Sequence, residues 1–126
     1  MALGNMDLLS NQEKINDASL LITTDMLNYP TLSNCSDYAT DATWYYKIGT
    51  RVFVCIRVKS MTASTEKQIF TLPAGYRPLK TIETLGRGGS LSTSPTLVSI
   101  DTSGAVFANP NTGSMCFGTF EFDAGN

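Results

Sequence analysis

The chain has 126 residues, of which 42% are hydrophobic and 16% are charged, and its formal net charge is −2. Its length suits one domain, its apolar share is too high for a disordered chain, and its charged share is too low for a coiled coil. The small net charge gives no bulk attraction to nucleic acid or to an anionic membrane, so neither is expected as a partner.

Residues 1–32 predict an N-terminal arm or stem. Apolar side chains recur there every seven positions, but the complementary positions are mostly polar, which makes only a half-formed heptad. A short helix over about residues 11–21 fits this spacing and would end before Pro30, and a frayed or linking terminus is the alternative. The start lacks a basic region followed by a long apolar run, so no signal peptide or transmembrane segment is predicted.

From Thr43 onward the pattern is typical of β-structure. Residues 50–59 (TRVFVCIRVK) alternate over ten positions, so one face carries only β-branched side chains and must be buried. The opposite face is apolar in the middle, at Phe53 and Cys55, and basic at its ends. Such a mixed face predicts partial cover by a second layer, by the arm or by another subunit.

Shorter strands are predicted after this one, separated by turn residues. They span residues 68–72, 81–85, 96–101, 104–108 and 116–123, and a flexible loop rich in Gly and Ser is predicted over residues 86–95. Seven or so short strands without alternating helices predict an all-β fold, as an antiparallel β-sandwich, a jelly roll or a small barrel. We therefore expect a β-sandwich or jelly-roll-like domain over residues 33–126, preceded by the short arm.

The sequence offers no catalytic constellation, and the chain is predicted not to be an enzyme. It contains no histidine, which excludes Ser–His and Cys–His nucleophile pairs and histidine-ligated zinc. Two carboxylate pairs, Asp37 with Asp41 and Glu121 with Asp123, are candidates for acid–base or calcium chemistry, but solvated positions and an unmatched spacing argue against both. The three cysteines predict neither a disulfide framework nor a metal motif. No metal or cofactor is expected.

The aromatic run Trp44-Tyr45-Tyr46 is the most informative local feature. On a strand, Trp44 and Tyr46 share one face and Tyr45 lies on the other, so one side of the run is inside the domain. The rings either pack in the core and an interface, or form a stacking platform for sugars, because an aromatic ring with a polar group suits an amphipathic ligand.

Three segments of the β-region follow one another in an order known from one group of proteins. They are YYKIGTRV (residues 45–52), IFTLPAGYRP (69–78) and VSIDTSGAV (98–106). Together they resemble the C-terminal head domains of receptor-binding, tail-fibre and baseplate proteins in tailed phages of Gram-positive bacteria. The resemblance covers about residues 43–123, and Leu-Pro-x-Gly-Tyr-Arg-Pro is its most specific element.

The resemblance implies a non-catalytic homotrimer in the virion, at the phage tail, that binds host cell-wall saccharide and contacts other phage tail proteins. A purely structural baseplate or fibre component and a free-standing carbohydrate-binding module are the alternatives. The candidate ligand-binding residues are chosen as exposed loop groups. They are Asp37, Tyr38, Trp44, Arg87 and Asn111.

Overall fold

The computed structural model describes residues 23–88 and 95–125. The helix predicted near residues 11–21 lies outside the described residues. Within these ranges a turn of 3-10 helix at Thr24–Met26 is followed by eight β-strands. The strands are β1 (Ser36–Asp37), β2 (Trp44–Ile48), β3 (Arg51–Lys59), β4 (Lys67–Thr71), β5 (Ile82–Arg87), β6 (Pro95–Ile100), β7 (Ala105–Asn109) and β8 (Cys116–Asp123).

All eight strands belong to one antiparallel sheet. Its order is β1-β3-β8-β5-β6-β7-β4, and β2 pairs with β3 on the edge that β1 also uses. The predicted all-β antiparallel fold is confirmed. The finer prediction of a sandwich or jelly roll is not, because β8 pairs with β3 on one side and with β5 on the other and so joins all the strands into one curled sheet.

The inner face of the curl forms the hydrophobic core. Residues of β3 and β8 alternate in register, with Val54 opposite Phe120 and Val52 opposite Phe122. All four inward side chains of β3 are fully buried, which confirms the face predicted from the alternation. Burial of each such side chain stabilises the fold by about 1.5–3 kcal/mol. The core is completed by side chains of the remaining long strands and the loops, among them Ile69, Leu72, Val98, Ile100 and Val106.

A short extended segment joins the two edges of the curled sheet. The backbone N–H of Asn28 donates to the Tyr45 carbonyl at 2.8 Å, and the N–H of Tyr45 donates back to the Asn28 carbonyl at 3.0 Å. Five residues later the N–H of Ser33 donates to the carbonyl of Ile69 at 2.7 Å. The segment therefore connects β2 to β4, so the last residues of the predicted arm contact the sheet. We call residues 28–34 the seam segment.

The prediction of a loop over residues 86–95 is wrong at both ends of that range. Gly86 and Arg87 belong to β5, and Pro95 begins β6. Gly86 favours this strand because β5 passes so close to β8 that a side chain at Gly86 would overlap the carbonyl oxygen of Phe117. The glycine content of this segment predicted flexibility, but Gly86 instead allows two strands to approach closely.

Candidate functional site

An open cleft of about 700 Å³ lies where the seam segment runs between β2 and β4. We call it the seam cleft. Its aromatic wall is the Tyr45 ring stacked on the Phe70 ring, with centroids 6.5 Å apart and planes 12° from parallel. Tyr76 meets Tyr45 edge-on, with ring centroids 5.3 Å apart. Burial is the main cause of the raised pKa of Tyr45, and the nearby Tyr76 raises it further. Tyr29, which is 45% exposed, stands at the cleft as a further ring.

The polar groups of the seam cleft are amides and hydroxyls. Asn34 donates from its Nδ2 to the Gln68 carbonyl at 2.8 Å, and Gln68 donates from its Nε2 to the Thr71 hydroxyl at 2.9 Å. The backbone of Gln68 therefore holds the Asn34 side chain, and Thr71 holds the Gln68 side chain, at the rim of the cleft. The side-chain oxygens of both amides can accept hydrogen bonds. Among the described residues that line this cleft, none is charged. Aromatic faces beside neutral donors and acceptors are the surface that a neutral, hydroxyl-rich ligand requires.

A second cleft, of about 470 Å³, opens on the outer face of the sheet between β8 and β5. Phe117 of β8 lies directly between two arginines, because it pairs with Arg57 of β3 on one side and with Arg87 of β5 on the other. The guanidinium carbons of Arg57 and Arg87 are 5.2 and 5.0 Å from the centroid of the Phe117 ring. We call this site the arginine cleft.

The structure brings together two of the five residues chosen from the sequence. Tyr38 meets the Phe117 ring edge-on at 5.0 Å, and the guanidinium of Arg57 lies 5.1 Å from the Tyr38 centroid. Arg87 stands across the same Phe117 ring and is part of β5 rather than of a loop. Tyr38 and Arg87 thus meet at one site, and Arg57 and Phe117, which complete it, were not selected as candidates.

The other three candidates lie elsewhere. Trp44 is half-buried in β2, not in a loop, and its ring stacks on Tyr46 at 5.9 Å. Asp37 belongs to β1 and is half-buried, with an Oδ1 that is buried and accepts no hydrogen bond from the described part of the chain. Asn111 sits in the turn before β8 at a φ of 61°, where its carbonyl accepts from Ser64, so its groups serve the turn.

The carboxylates of Glu121 and Asp123 share one arginine on the outer face. Arg51 donates to Glu121 Oε2 from its Nε at 3.2 Å, and its Nη1 lies 3.4 Å from Asp123 Oδ1. The hydrogen bond to Glu121 is the main cause of the raised pKa of Arg51. These exposed groups, one positive and two negative, form an ion-pair cluster at the sheet surface.

Burial also makes the cysteines poor nucleophiles. It raises the pKa of Cys35 to about 11, with smaller contributions from Asp37 and Cys116, and it raises the pKa values of Cys55 and Cys116. All three thiols are free of disulfides. At neutral pH they are protonated, whereas attack on an electrophile and zinc binding both require the thiolate.

In residues 23–88 and 95–125, no group of three or more acidic or cysteine side chains is arranged to hold a metal ion. Within the same residues, no helix has the length and apolarity of a membrane span. No protein-family model matches the chain, and no curated protein is significantly similar to it in sequence.

Proposed function

We propose that this chain is a non-catalytic head domain at a phage tail or tail fibre that binds a neutral saccharide of the host cell surface in the seam cleft. The observation that carries the proposal is the composition of that cleft. Stacked aromatic rings form one wall, two amides, several hydroxyls and two prolines form the rest, and none of the described residues that line it is charged.

The chemistry of these groups suits a sugar ring. A pyranose presents an apolar C–H face that packs on an aromatic ring, and its hydroxyls exchange hydrogen bonds with amide and hydroxyl side chains. The cleft walls are partly fixed before binding, since Asn34 bonds to the backbone of Gln68 and Tyr45 is held between Phe70 and Tyr76. A pre-organised site loses less conformational entropy on binding.

Homotrimer formation is part of the proposal. The outer face of β2 and β3 carries the half-buried rings of Trp44 and Phe53, and a symmetric assembly would bury them further. Three weak sites on one particle gain avidity when they engage one cell wall together. The phage context comes from the resemblance of residues 43–123 to phage head domains.

A glycan array and titration of the hits test the seam cleft. Tyr29→Ala and Gln68→Ala alter exposed groups of the cleft and are expected to weaken binding of a neutral oligosaccharide about tenfold each, the loss of roughly one good contact. Leu79→Ala is the matched control, because Leu79 is an exposed apolar residue (71%) that does not line the cleft. The proposal is wrong if no neutral glycan binds, or if the control weakens binding as much as the cleft variants do.

A purely structural role in the virion is the second candidate, and the ring stack on the outer face favours it. Trp44, Tyr46 and Phe53 form a continuous column of stacked rings that is suited to protein contact. This role predicts normal assembly with other tail proteins and no glycan affinity, so the same array separates the two candidates.

A further inference from the structure

The seam segment lies antiparallel to the end of β4. The Ser33 N–H donates to the Ile69 carbonyl at 2.7 Å. One residue further along the seam segment, Asn34 Nδ2 donates to the carbonyl of Gln68, one residue earlier in β4, at 2.8 Å. The two segments therefore run in opposite directions, and Ser33 and Ile69 form a hydrogen-bonded pair of the kind that begins an antiparallel ladder.

The next hydrogen-bonded pair of this ladder is not made. Such pairs recur every second residue along antiparallel strands, which places Thr31 opposite Thr71. In the described part of the chain no backbone hydrogen bond joins these two threonines, because the seam segment turns away to pair with β2 at Asn28 and Tyr45. Thr31 and Thr71 both line the seam cleft. The cleft thus lies where β4 lacks a neighbouring strand for its backbone groups.

The backbone N–H and C=O of Thr71 face the cleft. Along a strand these groups point alternately to the two sides from one residue to the next. The Leu72 N–H donates to the Gly104 carbonyl at 2.8 Å, on the side of β7, whereas the Ile69 carbonyl faces the seam segment. The N–H and C=O of Thr71 therefore lie on the seam side, where no backbone group of the described residues pairs with them.

Pro73 keeps the cleft open beyond this point. The register that places Thr31 opposite Thr71 also places Tyr29 opposite Pro73, and a proline has no N–H to donate. The two segments therefore cannot complete a further pair there. Tyr29 and Pro73 both line the cleft, so this end of it combines an open backbone edge with two apolar surfaces.

We propose that the seam cleft selects an N-acetylated amino sugar through its acetamido group, an inference that rests on the proposed binding of a neutral saccharide there. A trans secondary amide points its N–H and its C=O in opposite directions. Between the two segments it accepts from the Thr71 N–H and donates to the Thr31 carbonyl, which faces β4 as the Ser33 N–H does. The amide thereby completes the missing pair as the backbone of an added strand does. Its methyl group packs against Tyr29 and Pro73, which line the cleft.

Calorimetric titration of the full chain with chitotriose and with cellotriose tests the inference. The two trisaccharides share their linkage and ring geometry and differ only in the acetamido or hydroxyl group at C2. We expect chitotriose to bind about tenfold more tightly, the gain of one amide contact. The inference is overturned if chitotriose does not bind, or binds no more tightly than cellotriose. The proposed function fails only if no neutral glycan of the array binds, so the two failures are distinguishable.

An uncharged peptide, acetyl-trialanine amide, is the third probe. An extended peptide can also supply an amide to a strand edge. Tighter binding of this peptide than of chitotriose would overturn the inference, because the cleft would then favour a protein strand over a sugar.

Thr71→Pro and Thr71→Val separate the backbone of this residue from its side chain. Both lose the hydroxyl that accepts from Gln68 at 2.9 Å, but only proline also removes the N–H that faces the cleft. A strand tolerates proline where the N–H does not pair with its neighbour. We expect Thr71→Val to keep the preference for chitotriose over cellotriose, and Thr71→Pro to reduce it to within about twofold. An undiminished preference in a folded Thr71→Pro chain would contradict the inference.

The wild-type chain gives a direct readout should the proline variant fail to fold. In heteronuclear NMR spectra we expect saturating chitotriose to shift the Thr71 amide proton downfield, because that proton enters a hydrogen bond, and cellotriose to shift it less. A Thr71 amide signal that does not respond to chitotriose would overturn the inference.

Discussion

The Asp101 carboxylate organises the turn between β6 and β7. Its Oδ1 accepts hydrogen bonds from the Ser103 hydroxyl at 2.6 Å, from the Ser103 N–H at 2.9 Å and from the Ala105 N–H at 3.0 Å. The chain then turns back at Gly104, whose φ of 86° suits glycine. The bond from Ser103 is the main cause of a lowered pKa for Asp101, because it favours the charged form.

The lowered pKa of Asp101 predicts a pH-dependent contribution to stability. A carboxylate with a lower pKa in the folded than in the unfolded chain stabilises the fold above the unfolded value, about 3.9, and this contribution is lost as the pH falls through the folded value. We expect Asp101→Ala to lower the free energy of unfolding by about 1 kcal/mol at pH 7, and by less below pH 4. Urea denaturation at both pH values measures this, with exposed Glu66→Gln as control. An equal loss at both pH values would contradict it.

The crossing of β5 and β8 joins the two parts of the sheet. Arg87 pairs with Phe117 there, and β5 leads on to β6, β7 and β4. The two backbones approach closely because Gly86 has no side chain, and the Thr96 hydroxyl of β6 lies 3.0 Å from the position that a Cβ at Gly86 would take. Gly86 thus sets a distance between two strands that also form the arginine cleft.

Gly86→Ala is expected to force β5 away from β8. The new methyl group would overlap the Phe117 carbonyl, and rigid backbone cannot yield cheaply, so we expect a loss of about 2–3 kcal/mol in the free energy of unfolding. Gly113→Ala is the matched control, since nothing lies within 4 Å of the position its methyl would take. Thermal and urea unfolding of both variants would compare them. Similar stability of the two variants would show that the crossing tolerates a side chain.

The strands were predictable from the sequence because their signals are local. The alternation at Val52–Val58 is visible without partners, and Pro73 and Gly75 mark a turn in which Tyr76 donates to the Pro73 carbonyl at 3.1 Å. The clefts were not predictable, because each depends on pairing between distant segments. Arg57 and Phe117 are 60 positions apart in the sequence and meet only through the register of β3 with β8. Alternation predicts the face on which a side chain lies, but not its neighbour on the next strand.

The outer face of the whole molecule covers part of its own apolar surface. Tyr46 is only 8% exposed, because its ring lies between Trp44 and Phe53 in a column with centroid distances of 5.9 and 5.2 Å. Burial raises the pKa of Tyr46, with a smaller effect from Glu121. The rings of β2 thus cover part of the mixed outer face of β3, as its sequence pattern predicted. The outer rings of the column, Trp44 and Phe53, remain half-buried.

A trimer that uses this column predicts a definite mass and a definite response to substitution. Light scattering should give about 41 kDa, three chains of 13.6 kDa. Trp44→Ser removes a large ring from the end of the column and should shift the particle towards the monomer, because aromatic residues contribute strongly to interfaces. Leu79→Ser, which removes an exposed apolar side chain elsewhere, should leave the mass at 41 kDa, and near-ultraviolet circular dichroism would check that both variants fold. A wild-type mass near 13.6 kDa at micromolar concentration would refute the trimer. The seam cleft would then have to bind its saccharide without avidity.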